Sequence, residues 1–251
     1  VDNLRPFVEL NPYREVLSKA NEFVGYLPNA ETVEPDTKLG LDDMFELVRK
    51  ADEDYRTLQE KKEKLKQKIE EYRAKQQIVA PFRPLECDLH RVLHYRYITY
   101  RFGRIAVEFY HKMQKYLMDD LKAIFVEGER DESYVYGVYF VSQAETQKVD
   151  AVFRSLHFER IELKDEFEGT PDTAYRVLEN EIARVNLEIE DLDKQAGEML
   201  ADRAPQLVAA RDRLEELSNN FDVRKLAARM EDKQEDYYIL CGWMAEDDVD
   251  K

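Results

Sequence analysis

Residues 41–79 read LDDMFELVRKADEDYRTLQEKKEKLKQKIEEYRAKQQIV. Met44, Val48, Ala51, Tyr55, Leu58, Lys62, Leu65, Ile69, Tyr72, Gln76 and Val79 follow one another at alternating steps of four and three. That alternation averages 3.5 residues per turn and holds one stripe of a helix against a partner helix, so it predicts a coiled-coil arm. Only Lys62 and Gln76 interrupt the apolar stripe, which is longer than an ordinary amphipathic surface helix sustains. Leu178, Ile182, Val185, Ile189, Leu192, Ala196 and Met199 repeat the pattern downstream. The charges of the two stretches are opposite. Arg56 to Gln77 holds eight basic and four acidic residues, whereas Glu168 to Asp202 holds ten acidic and three basic. Complementary charge selects partner and register and adds little stability per exposed pair. The expectation is pairing within one chain; a seam does not name the helix it faces, so pairing between chains is the alternative.

The composition agrees. Of 251 residues 37% are charged, with only 8 Gly and 8 Pro, the bias of long helices. A formal net charge of −16 argues against a general phosphate-backbone binder and against an anionic membrane surface as direct partner. No apolar run is long enough to span a bilayer, and no secretory leader is evident. The chain opens at Val1 in mid-pattern, as expected of a piece of something longer. Cys87 and Cys241 lie in different regions and suit a reducing compartment.

In chain order, residues 1–80 read as an N-terminal helix and the first arm. Asn11-Pro12 looks like a helix start, Pro28 a stop, and 29–40 a loop. Residues 81–166 change period from seven to two. They read as a strand from His94 to Arg101 ended by Gly103, a helix from Ile105 to Met118, and a short strand 123–126. A strong strand YVYGVYFV (134–141) follows, then a helix capped by Ser142 with Glu145, and a last strand 158–163. The order β-α-β-β-α-β is the ferredoxin-like split pattern. Residues 167–232 form the return arm, opened by Gly169-Thr170-Pro171-Asp172 and interrupted near Pro205, where the seam slips and the helix should kink. Its part from 207 to 230 is left to pair with the helix at 12–27. Residues 233–251 hold one strand, Tyr237 to Cys241, with no partner strand nearby in sequence, so it is expected to belong to an incomplete proximal lobe whose other strands lie before Val1 or after Lys251. The fold expected is α+β: an antiparallel helical coiled-coil hairpin, bent near Pro205, with a ferredoxin-like lobe at its tip.

Catalytic signatures are missing. There is no glycine-rich phosphate loop, no GxSxG and no HExxH. Cys87, His90 and His94 have ligand-like spacing but no evident fourth ligand, and read as incidental residues. No cofactor and no metal are expected. The aromatic strands carry more information. Tyr134, Tyr136, Val138 and Phe140 share one face and Val135, Tyr139 and Val141 the other, so both faces are apolar and the one without helices needs a cover. That cover is either a partner or the coiled coil itself. Tyr95, Tyr97, Tyr134 and Tyr136 are the candidate partner-binding residues.

These residues resemble the N-terminal cytosolic domain of subunit I of rotary V/A-type ATPases, the bacterial and archaeal relative of eukaryotic subunit a. The similarity lies in the heptad arm at 41–79, Tyr100-Arg-Phe-Gly-Arg-Ile105, Leu156-His-Phe-Glu-Arg-Ile161, the Glu168-Gly-Thr-Pro171 helix start, the return arm, and Ile239-Leu-Cys-Gly-Trp-Met244. Met244-Ala245 stands where the family usually has a proline soon after Gly-Trp. The resemblance implies a non-catalytic stator element on the cytoplasmic face of a membrane, bound to peripheral stalks of E and G type subunits. A membrane domain outside this chain would carry the ion half-channels beside the rotor ring. Two other classes stand beside it: a self-contained coiled-coil adaptor, which predicts dimerisation through the seam, and a ligand-sensing ferredoxin-like module on a stalk.

Overall fold

A computed structural model describes residues 4–6, 10–36, 38–119, 121–163, 167–223, 227–231 and 236–240. The expected features at 164–166, 224–226 and 241–246 lie outside the described residues. The chain forms two compact units, Val1–Lys61 with Asp191–Lys251, and Lys62–Glu190.

Two helices contribute to both units: α2 (Leu41–Val79) and α6 (Pro171–Asp202). Every seam position of the 4-3 pattern in both helices is buried or half-buried, while most residues between them are exposed. Within each unit, the segments that meet are those an antiparallel pairing requires. In the first, the Arg203 guanidinium reaches Asp54 at 2.7 Å. In the second, the Gln76 amide donates to the Tyr175 carbonyl at 3.4 Å.

The first unit packs α1 (Arg14–Gly25), the start of α2, the end of α6 and α7 (Ala204–Val223) around Phe23, Val48, Ala51, Leu207 and Leu214. Helix α1 starts two residues after Pro12, because Asn11 is engaged elsewhere. Its Oδ1 accepts from Tyr13 N, and its Nδ2 donates to the Ser218 hydroxyl (2.9 Å) and carbonyl (3.1 Å). The expected interruption near Pro205 falls at Arg203, between α6 and α7. Pro205 has no N–H to continue a helical ladder, and its carbonyl accepts from Asp36 N (3.0 Å) in the 29–40 loop.

A second sheet in this unit corrects the expected lone strand. β7 (Asp236–Leu240) pairs antiparallel with β6 (Ala227–Glu231), which pairs antiparallel with β1 (Leu4–Pro6). The expected helix stops at Val223. Ala227-Ala-Arg-Met-Glu231 is a good helix-forming sequence, and pairing with the β-prone Tyr237-Tyr-Ile-Leu240 overrides its local preference.

The second unit is built on a four-stranded antiparallel sheet of order β3-β4-β2-β5, from β2 (Ile98–Ala106), β3 (Ala123–Arg130), β4 (Tyr134–Ser142) and β5 (Glu159–Arg160). Two of its helices, α4 (Val107–Asp119) and α5 (Thr146–Ser155), cover one face over Ile105, Met113, Tyr139, Val149, Phe153 and Phe158. The other face carries Phe102 and Val138. It is covered from within the unit by Val79, Phe82, Leu85, the short helix α3 (Leu89–Leu93), Phe167, Ala174 and Leu178. Of the two covers expected, the chain itself supplies this one. Ser142 makes no side-chain cap; a 3-10 turn at Gln143–Glu145 intervenes before α5.

Gly103 does not end its strand. It faces Gly137 across β2 and β4, on the helix-covered side. A Cβ at Gly103 would overlap the Glu159 carbonyl and the Phe158 ring, and one at Gly137 would lie 2.5 Å from both the Phe125 ring and the Val126 carbonyl. The opposed glycines leave a bare strip of sheet that two aromatic rings occupy. Gly137→Ala is therefore expected to destabilise this unit by about 1–3 kcal/mol through overpacking, read as a lower urea midpoint.

Candidate partner-binding surface

The end of the sheet where β2 begins is exposed and apolar. Helix α3 is capped by Asp88, whose Oδ1 accepts from Arg91 N at 2.9 Å, and it closes at His94, whose Nδ1 lies 2.8 Å from the His90 carbonyl. Because the helix consumes residues 89–93, β2 starts at Ile98 rather than His94. The intervening chain is laid out in solvent, with Tyr95 at 47% and Tyr97 at 80% exposure. The Tyr97 carbonyl accepts from Gln143 N (3.1 Å), fixing this stretch against the end of β4.

Register extends the patch across the sheet. Ile124 opposes Phe140, Phe140 opposes Tyr100, and Ile98 opposes Ser142, so Ile98, Tyr100, Ile124 and Phe140 share the face away from α4 and α5. Ile98 is 43% and Ile124 68% exposed, and Val126 follows on the same strand face. Contiguous exposed apolar surface of this kind is a usual mark of an interface.

Tyr134 and Tyr136 lie elsewhere. Tyr136 opposes Arg104 and Tyr134 opposes Ala106, six to eight residues along β2 from Ile98 and hence roughly 20–26 Å away. The Arg104 guanidinium stacks on the Tyr134 ring at 4.1 Å and pairs with Glu159 at 2.6 Å. Tyr136 is half-buried, with its ring set edge-on to Phe82 at 6.4 Å. The four candidate partner-binding tyrosines thus divide into an exposed pair and a half-buried pair.

Ile98, Ile124 and Val126 escape sequence reasoning because their alternation reads as core. One signal was available. Leu89 to Val107 contains four arginines and no acidic residue, in a chain with 54 Asp+Glu. Of these, Arg101 and Arg104 are spent on Asp150 and Glu159. Arg91 and Arg96 are exposed, as is Lys122 beside Ile124, and none of the three has an ion pair among the described residues.

Among the described residues no group of three His, Cys, Asp or Glu side chains is placed to hold a metal. Cys87 is half-buried, and burial pushes its thiol above the usual range. The His90 and His94 rings lie 4.3 Å apart, tilted by 42°. No helix of the described residues is long and apolar enough to cross a membrane.

No protein-family model and no curated protein matches the chain. Among solved structures, the chain is similar to the crystal structure of the cytoplasmic N-terminal domain of subunit I, homolog of subunit a, of V-ATPase, with 12% identity and a TM-score of 0.46 over 84% of this chain and 70% of that one.

Proposed function

We propose that this chain is a non-catalytic stator element of a rotary V/A-type ATPase. It links a membrane ion-translocating part to peripheral stalks of E and G type subunits and resists torque during proton or sodium transport, at the cytoplasmic face of the membrane. The observation that carries the reading is the burial of every 4-3 seam position of α2 and α6 inside one chain. A pair of long helices that satisfies its own seam is an intramolecular coiled-coil hairpin, suited to bearing load. The strand order β3-β4-β2-β5 supports reading the attached sheet as ferredoxin-like. In this reading 1–80 and 167–232 are the arms, 81–166 is the lobe, and 233–251 holds a strand of a second lobe. The sequence resemblance supplies the complex. The partner contact lies at Tyr95, Tyr97, Ile98 and Ile124, with Tyr134 and Tyr136 serving chiefly to anchor the sheet.

Titration calorimetry with a purified E–G stalk heterodimer is expected to show saturable binding with Kd near or below about 1 µM. Tyr97→Asp, at an exposed position, should weaken it at least about tenfold without changing the melting temperature. A chain that binds no stalk and sediments as a concentration-dependent dimer would instead support the adaptor class.

A further inference from the structure

We infer that the exposed end of the sheet recognises an acidic, apolar-faced protein segment. This rests on reading the patch as the partner contact and adds the chemistry of what docks there. The apolar part is Ile98 and Ile124, brought onto one face at this end of the sheet by the β2-β4-β3 register, with the exposed Tyr97 directly before Ile98. Arg91 and Arg96 on one side and Lys122 on the other border it, all exposed and without ion pairs among the described residues.

Asp88, the acid nearest in sequence on the α3 side, has an oxygen committed to capping Arg91 N. The α3 side of the patch, Leu89 to Val107, therefore carries cations and no acid, on a chain whose formal net charge is −16. A field of one sign bounded by the opposite sign steers and orients a complementary partner and repels a basic one. Nucleic acid and an anionic membrane would meet the same cations, but both would also meet the excess negative charge of the rest of the chain. A protein segment small enough to cover only the patch avoids that repulsion. Three cations around an apolar centre fit a segment carrying several Asp or Glu beside two or three large apolar side chains, with the apolar contacts supplying most of the affinity.

The test uses the whole chain and two fluorescent probe peptides, each an amphipathic alanine-based helix of about four turns with leucines on one face. One carries flanking glutamates, the other lysines at the same positions. Fluorescence anisotropy is expected to show saturable binding of the glutamate probe with Kd of order 10–100 µM, and at least about tenfold weaker binding of the lysine probe. Arg96→Glu with Lys122→Glu should weaken the glutamate probe at least about tenfold, and Ile124→Asp comparably. Lys61→Glu with Lys64→Glu, the same charge change on exposed positions of α2, should leave it unchanged. Equal losses in the patch and control variants, or equal binding of both probes, would overturn the inference. So would binding to phosphatidylserine vesicles that the patch variants abolish, in the absence of glutamate-probe binding. If the E–G heterodimer binds wild type and the Arg96/Lys122 variant alike, this inference falls while the stator reading stands.

Discussion

Replacing Phe153 by alanine is expected to destabilise the α/β unit by about 3–5 kcal/mol, the cost of deleting a fully buried aromatic ring that leaves a cavity. Phe153 is 1% exposed. Its ring stacks on Tyr139 at 4.0 Å and meets Phe158 edge-on at 5.3 Å and Phe125 at 6.4 Å. Phe158 and Phe125 are the rings that fill the strip left bare by Gly103 and Gly137, so the cavity opens beside a strip of bare backbone that cannot collapse into it. The stack is also what holds α5 to the sheet, together with Val149. Hydrogen exchange of the β4 and α5 amides is the suitable measurement, because it reports the opening of this unit regardless of the other. Protection should fall by about two to four orders of magnitude, with the helices of the first unit unchanged. A loss under about 1 kcal/mol would mean that the surrounding rings re-pack into the space and that α5 is held by other contacts.

The contrast between what could and could not be read beforehand follows from the range of the interactions involved. The bounds of α2 were legible at both ends, because a 4-3 repeat is local and Pro81 closes it. The start of α6 was legible for the same reason: Thr170 Oγ1 accepts from Thr173 N at 3.2 Å, and Pro171 needs no partner. Gly103 was not, since a glycine inside a strand looks like a terminator until its register partner is known to be another glycine. The β6 segment carried helix-forming residues, and only the distant β1 and β7 make it a strand. The candidate surface shows the same limit. Tyr95, Tyr97, Tyr134 and Tyr136 are alike in composition, but strand register separates them and α3 pushes the first pair into solvent. Exposure of Ile124 is a property of β3 being the outer strand, which no short window of sequence encodes.

Asp150→Ala is expected to cost about 3 kcal/mol at pH 7 and to flatten the acid side of the stability profile. Asp150, on α5, collects three groups from the sheet. It accepts from the buried Tyr139 hydroxyl at 2.6 Å, pairs with Arg160 at 2.5 Å, and lies 3.5 Å from Arg101. Its side chain is only 14% exposed. Burial pushes the Asp150 carboxyl up, but the hydrogen bonds from Tyr139 and Arg160 and the nearby guanidinium charges together hold it below the usual carboxylate range. Burial and the bond to Asp150 drive the Tyr139 phenol upward. Removing the carboxylate strands a buried hydroxyl and two cations, one of which, Arg101, already has a buried Nε without a partner. The sign of the pH effect follows from the lowered carboxyl. Its contribution is complete above the unfolded value near pH 4 and is lost as pH falls through the lower folded value. Wild type should therefore lose stability below about pH 4 more steeply than the alanine variant. The difference will be partial, because Asp172, held down chiefly by Arg83, and Asp131, held down chiefly by the Tyr134 and Ser133 amides, keep their own acid dependence. Asp150→Asn separates geometry from charge, since it keeps an acceptor for Tyr139 while losing the ion pairs. It should fall between wild type and alanine at pH 7 and share the alanine variant's flatter acid limb. If Asn matched wild type across the whole range, the two arginines would be bystanders and the Tyr139 hydrogen bond alone would account for what Asp150 contributes.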